Sequence, residues 1–258
     1  MNALTLIRKA GADFLTAMQF LTRIPLPTSP YEQDSLARAV KFFPVVGLFV
    51  GGSAALFHQL LTPHLPRFVT ALLVIVFLVF ITGCFHEDGL ADAADGFGGG
   101  WTREQVLVIL KDSCIGSYGG VALTLSLLAR VLLLASLQLN QIAAFLIAAQ
   151  VLCRWTTLPL SYYLDPARRD AETWAGQGAR IAGLTTRSTL IAGTIFSFAT
   201  AGVVLRMRAL PAIAGAILLS LLSGLYYKRR IGGVTGDCFG ATNQFTEVFV
   251  YLAGVWII

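Results

Sequence analysis

The sequence predicts an all-α integral membrane protein: a polytopic bundle of six to seven transmembrane helices preceded by an amphipathic N-terminal helix. Three observations carry this. First, 56% of the 258 residues are hydrophobic and only 13% are charged, about half the charged share of an ordinary soluble domain. Second, several apolar runs reach the roughly 18–20 residues that cross a hydrocarbon core of about 30 Å. Third, the Lys and Arg residues gather at the ends of those runs, so the net charge of +5 reads as topology. No basic stripe with interleaved aromatics is present, which excludes a nucleic-acid partner.

The stretch from Ala3 to Leu21 is broken by Arg8, Lys9 and Asp13, so it lacks the unbroken core of a signal peptide. Ile7, Phe14, Met18 and Leu21 recur at helical spacing and predict a helix lying on the membrane surface. Six apolar segments follow, at 42–62, 68–85, 115–138, 142–160, 188–205 and 209–227. The C-terminal run from Val248 to Ile258 has 11 residues, about 16–17 Å as a helix. It spans only if its helix begins near Phe239 and takes in Asn243 and Glu247.

Orientation follows from the basic residues. With the N-terminus cytoplasmic, fourteen Lys and Arg lie on that side and three, Arg67, Arg206 and Arg208, lie opposite; Arg130 and Arg154 fall inside spans. That asymmetry predicts a multi-pass protein of a cytoplasmic (inner) membrane, with its N-terminus on the cytoplasmic side. It also puts the polar segments 86–113, 161–187 and 228–247 on the cytoplasmic face. No repeat or linker divides residues 1–258, so the chain reads as one domain. Cys84, Cys114, Cys153 and Cys238 form no C-x-x-C pair, which argues against zinc or redox chemistry.

The chemistry concentrates in G-C-F-H-E-D-G-L-A-D-A-A-D-G-F-G-G-G at 83–100. Of 14 acidic residues in the chain, Glu87, Asp88, Asp92 and Asp95 fall within nine positions, directly after an apolar run. Asp88, Asp92 and Asp95 stand at i, i+4 and i+7, one face of a helix. Three carboxylates so placed repel one another unless a cation joins them, and hard oxygen donors suit Mg2+ or Mn2+. Mg2+ in turn takes phosphate oxygens from a substrate, so the pattern points to a phosphorylated ligand at the membrane surface. Gly89 leaves room for that ligand at the first turn, and Gly96, Gly98, Gly99 and Gly100 stop the helix. Glu87 is expected to face water. The competing reading is a solvated acidic helix at a membrane edge. H-E-D-G-L is not H-E-x-x-H, so a zinc-protease reading of His86 fails.

These residues resemble the signature of the cobalamin-5′-phosphate synthase family, commonly G-x-x-H-x-D-G-L-A-D-x-x-D-G. Four other segments are similar to family motifs and occur in the expected order: F-L-T-R-I-P-L-P at 20–27, F-P-V-V-G-L-F-V-G at 43–51, K-D-S-C-I-G-S-Y-G-G at 111–120 and G-G-V-T-G-D-C-F-G-A at 232–241. The sequence departs from the pattern at Glu87, where an apolar residue is common, and at Gln244, where an acidic one is common.

The resemblance implies a transferase of cobalamin nucleotide-loop assembly. It joins adenosylcobinamide-GDP to α-ribazole or its 5′-phosphate and releases GMP, with Mg2+ as cofactor. Carried onto this chain, Asp88, Asp92 and Asp95 bind the metal. One of them, or Asp237, is the general base toward the ribazole hydroxyl. Arg23 and Lys111 hold diphosphate oxygens, and Gly233, Thr235 and Gly236 present amides to phosphate. His86 and the intramembrane Arg154 join the substrate site. The implied partners are these small molecules and the bilayer, with a homo-oligomer or other cobalamin-assembly enzymes as further associations.

Two other readings compete. A CDP-alcohol phosphotransferase also sets aspartates beside D-G, but wants Arg shortly after it, where this chain has Asp92 after Ala91. An ion-coupled transporter predicts acidic groups deep in several spans.

Overall fold

A computed structural model describes residues 3–26, 35–112, 114–168, 181–182 and 185–256. The side chain of Ile7, and Arg169, Trp174 and Arg180, lie outside what is described. Helix α1 (Ala3–Leu21) carries its apolar face inward: Met18 and Leu21 are core residues. Phe14 meets Phe42 edge-on and Phe20 stacks on Phe43. The buried Asp13 ties α1 to the next elements, accepting from Lys41 at 2.7 Å and Arg38 at 3.3 Å. So the described part of the amphipathic stripe is covered by protein: α2 (Ser35–Ala39), a 3-10 turn at Val40–Phe42 and the start of α3 (Phe43–Leu61).

Helices α3 and α8 (Ile142–Trp155) form the most intimate pair. A Cβ on Gly47 would collide with the Gln150 carbonyl, and one on Gly51 with the backbone at Leu146 and Ile147. Small residues four apart let the two backbones touch, as in membrane bundles where lipid supplies no hydrophobic drive.

Helix α4 (Arg67–Thr82) ends at Gly83 and Cys84, both left-handed (φ 67° and 59°). Two such residues in succession turn the chain by 89° into α5 (Phe85–Gly99). The expected stop came later than the first glycine: Gly96 and Gly98 stay helical and the helix caps at Gly100. Short α6 (Arg103–Ile109) follows, opened by a capping box between Thr102 and Gln105. Then come α7 (Ser117–Ser136), α8, α9 (Thr157–Tyr163), α10 (Arg187–Leu205), α11 (Ala209–Ile231) and α12 (Gly236–Trp256). No strand forms among the described residues; only an isolated bridge pairs Pro166 with Val234.

Among the described residues, four stretches can cross a membrane by length and hydropathy, or five if bent α4–α5 counts as one. One of the four, Arg187–Ile231, has 45 residues, about 68 Å if straight, twice what a bilayer core needs. It is a hairpin: Arg206 sits at φ 55°, and Gly193 and Gly224, from opposite ends, both abut the α9 region through Leu158 and Leu160. Helix α12 is 21 residues long but is kept out of the apolar set by its polar first half. Its start at Gly236 takes Asn243 and Glu247 into the helix, the condition under which the C-terminus reaches across. The chain is thus an all-α membrane bundle.

Candidate functional site

Helix α5 packs chiefly on α12, and glycine makes the crossing possible. A Cβ on Gly89 would sit 3.1 Å from Gly240 Cα and from the Asp237 carbonyl; one on Gly240 would sit 3.0 Å from Gly89 Cα. The space at Gly89 expected for a ligand is therefore filled by α12. This crossing brings Asp237, in the first turn of α12, to the acidic face of α5. Asp88 is exposed, while Asp92, Asp95 and Asp237 are partly buried. Asp92 stands on the arm beyond the 89° bend, partly exposed, and its carboxyl is pushed up to about 7. Partial burial is the first cause, then repulsion from Asp237, Asp88 and Asp95. So four carboxylates from two distant segments share one electrostatic site.

Asp95 has a second engagement. Its two oxygens accept from the Gly116 amide at 2.7 Å and the Gly119 amide at 2.9 Å. It caps α7 from another helix and satisfies amides that have no intrahelical partner. A Cβ on Gly116 or Gly119 would strike that carboxylate, which explains two of the three glycines of the 111–120 motif; a Cβ on Gly120 would meet open space. Lys111 of the same motif is exposed, and no described contact draws it to the carboxylates.

Thr235 donates to Asp237 Oδ2 at 3.1 Å and fixes that carboxylate. Gly233 is buried against the backbone at Asp165 and Ala167, locked by Val234 N–H to Asp165 O and Ala167 N–H to Val234 O. It shapes the turn into α12, and Gly236 opens the helix. Arg168 was missed in the sequence. It donates to Leu107 O at 2.7 Å, and its charge acts on Asp237. Only its place in a polar segment hinted at it. Arg23 lies across the α4–α5 bend, where a Cβ on Gly83 would collide with its side chain, and its amide binds Ile81 O at 2.8 Å.

His86 and Arg154 point away from the acidic face, into the bundle. His86 is buried and lines a small cavity with Phe20, Thr157 and Phe239. Arg154, 1% exposed, donates to Gln150 Oε1 at 2.6 Å and is electrostatically coupled to His86 and Glu247. Glu87, expected to face water, is buried and pairs with Arg130 at 2.9 Å. Arg130 also reaches Glu247 at 3.4 Å, and Tyr251 donates to Glu247 at 3.1 Å. The solvent reading of Glu87 fails because the bend at Gly83 lays α5 on α12, so that flank of α5 faces protein. Glu87 and Gln244, the two departures from the family pattern, touch at 3.4 Å.

Among the described residues no three His, Cys, Asp or Glu side chains converge tightly enough to cage a metal. Mg2+ does not demand a cage: it keeps waters and binds through one or two carboxylates plus substrate phosphates. The repulsion raising Asp92 is what a divalent cation would relieve, so the donors fit that mode.

The model of the family described as Cobalamin-5-phosphate synthase matches residues 13–255. An adenosylcobinamide-GDP ribazoletransferase of Shewanella frigidimarina is 40% identical over 246 residues, covering 93% of this chain and 92% of the relative. One of Vibrio cholerae serotype O1 is 36% identical over 249 residues, covering 93% and 91%. No solved structure matches. With four carboxylates gathered at one end of a membrane bundle and a match of this extent, the chain belongs to the cobalamin-5-phosphate synthase family.

Proposed function

We propose that this chain is an adenosylcobinamide-GDP ribazoletransferase of the bacterial inner membrane, with its acidic end in the cytoplasm. The observation that supports this reading is the meeting of Asp237 with Asp88, Asp92 and Asp95 across the Gly89–Gly240 contact. A hydroxyl of α-ribazole, or of its 5′-phosphate, attacks the phosphorus attached to cobinamide, the bond to GMP breaks, and the hydroxyl proton passes to a carboxylate. Asp237 is the base in this reading, since Thr235 orients it. Asp88 and Asp92, with Asp95 behind them, hold Mg2+. When bound, the cation supplies neutralising charge to the diphosphate and the leaving GMP. Arg23 and Arg168 flank this end of the bundle and bind diphosphate oxygens.

The test is GMP release by purified protein in liposomes, given adenosylcobinamide-GDP and α-ribazole, with and without Mg2+. Release requiring both substrates and the cation is expected, and Asp92→Ala should lose it by a factor of about 100 or more while still inserting. Release undiminished in Asp92→Ala, or by EDTA, would remove the metal site. The buried Glu87 and Glu247 meet one condition of the transporter reading, yet both are paired to Arg130. Substrate uptake without GMP release would favour that reading.

A further inference from the structure

The face of α5 opposite its carboxylates borders a void. Leu90, Ala93 and Phe97 lie roughly half a turn round the helix from Asp88, Asp92 and Asp95, and they line a cavity of about 520 Å3. Its other walls come from α7 at Ala122, α11 at Leu222 and Tyr226, and α12 at Phe245. Helices α7 and α11 each pack on α12 but not closely on one another, so the cavity opens sideways between them. Both flanks of that opening are exposed leucine-rich surface, Leu125 on one side and Leu218, Leu221 and Leu225 on the other.

The lining offers almost nothing polar. Tyr227 hydroxyl is bound to Cys238 O and Thr242, and it also engages Ser223. Tyr226 hydroxyl accepts from Arg230. A nucleotide or an amide-bearing ring would bury its polar groups there without partners; a hydrocarbon chain would not. The lining stripe of α11, at Leu222 and Tyr226, continues one turn on to Arg230. That guanidinium lies 5.8 Å from the Phe97 ring and 5.6 Å from the Tyr226 ring and donates to Gly100 O at 2.7 Å, setting positive charge beside the Phe97–Tyr226 wall of the cavity. Lys228 and Arg229 beside it are exposed.

We propose that this cavity holds one acyl chain of an anionic phospholipid, its phosphate set among Lys228, Arg229 and Arg230. The charge at the rim selects the headgroup and the apolar walls take the chain, supporting α5 from behind its catalytic face. A second copy of this chain is a poorer occupant. A two-fold contact sets the same patch against itself, which brings two Lys228–Arg230 clusters together.

Native mass spectrometry of the detergent-purified protein tests this, with phosphatidylglycerol and phosphatidylcholine of identical chains as probes. The protein should retain one phosphatidylglycerol under conditions that strip bulk lipid, with about tenfold preference over phosphatidylcholine. Leu222→Trp and Ala122→Phe fill the cavity from two different helices, and each should lose the lipid while keeping the wild-type helical circular dichroism. The pair Lys228→Gln and Arg229→Gln should keep a lipid but lose the preference. Equal retention of the two lipids by wild type overturns the proposal. So does undiminished retention in both filled variants, or a lipid-free dimer.

Discussion

Arg130 is buried to 1% exposure between Glu87 of α5 and Glu247 of α12, and a charge so placed is tolerable only while it is paired. Removing one partner of such a pair costs about 3–5 kcal/mol, because the other is left charged and dry. Glu247 remains to Arg130 when Glu87 is lost, so Glu87→Leu should cost about 2–3 kcal/mol, read as a lower thermal midpoint in detergent. Gln244 Nε2 lies 3.4 Å from Glu87 Oε1, so a carboxylate at 244 occupies the same neighbourhood. The double variant Glu87→Leu with Gln244→Glu returns the chain to the family pattern and should recover most of the loss; no recovery would mean that the two departures are unrelated. A second residue-scale test separates the aspartates. Asp95 is occupied by the Gly116 and Gly119 amides, whereas Asp92 faces mainly other carboxylates. Asp95→Ala should therefore cost about 1 kcal/mol of stability as a lost cap and leave the Mg2+ concentration for half-maximal GMP release within about threefold. Asp92→Ala should abolish release with the thermal midpoint unchanged or raised, since it removes like-charge repulsion. A large rise in the Mg2+ requirement of Asp95→Ala would instead make Asp95 a ligand.

At the scale of elements, the decisive contact is α5 on α12. It is made by backbone at Gly89 and Gly240, so any side chain there pushes the helices apart and carries Asp237 away from Asp88 and Asp92. Gly240→Ala should lower GMP release by about threefold, because a Cβ 3.0 Å from Gly89 Cα shifts the helices by only part of the roughly 1 Å that misaligns reacting groups about a hundredfold, while helicity and insertion persist. Full activity in Gly240→Ala would show that Asp237 does not work with α5. This contact also marks the limit of what the sequence discloses. The i, i+4, i+7 spacing of Asp88, Asp92 and Asp95 exposes their shared face, since helical periodicity is local. The apolar runs disclose the spans for the same reason. Asp237 lies far away in sequence, and no local pattern says which helix it meets. Glu87 was misjudged because an acidic residue beside D-G reads as surface; the 89° bend that turns it inward depends on left-handed Gly83 and Cys84, and Cys rarely adopts that conformation. Gly116 and Gly119 read as a motif, yet their task as amide donors to Asp95 needs the tertiary fold. Their kinship with Gly89 and Gly240 is that in each case the missing side chain is required by a neighbour rather than by a turn.

At the scale of the whole molecule, the polar ends of the helices sort to one side, and the cysteines report which side that is. Cys84 precedes α5 and Cys114 precedes α7, both exposed, while Cys153 and Cys238 are buried. Going along the chain, α3 leaves the acidic end, α4 returns to it, α7 leaves again and α8 returns, which keeps Cys84 and Cys114 together at that end. In the proposed orientation that end is cytoplasmic, because Lys and Arg are retained on that side during insertion. A membrane-impermeant maleimide should therefore label inverted vesicles at Cys84 and Cys114 and leave intact spheroplasts unlabelled. Replacing both by Ser should abolish labelling, since Cys153 and Cys238 have no route to the reagent until the bundle opens. Labelling from the spheroplast side would invert the whole topology and place the acidic site outside the compartment that holds GDP-activated substrates, ending the proposed reaction along with the orientation. Labelling from neither side would mean that lipid or a partner covers the bend at Gly83. Adding Mg2+ with substrate should slow labelling at Cys84, one residue before the helix that carries Asp88 and Asp92, so the same experiment reads the side of the membrane and the occupancy of the site together.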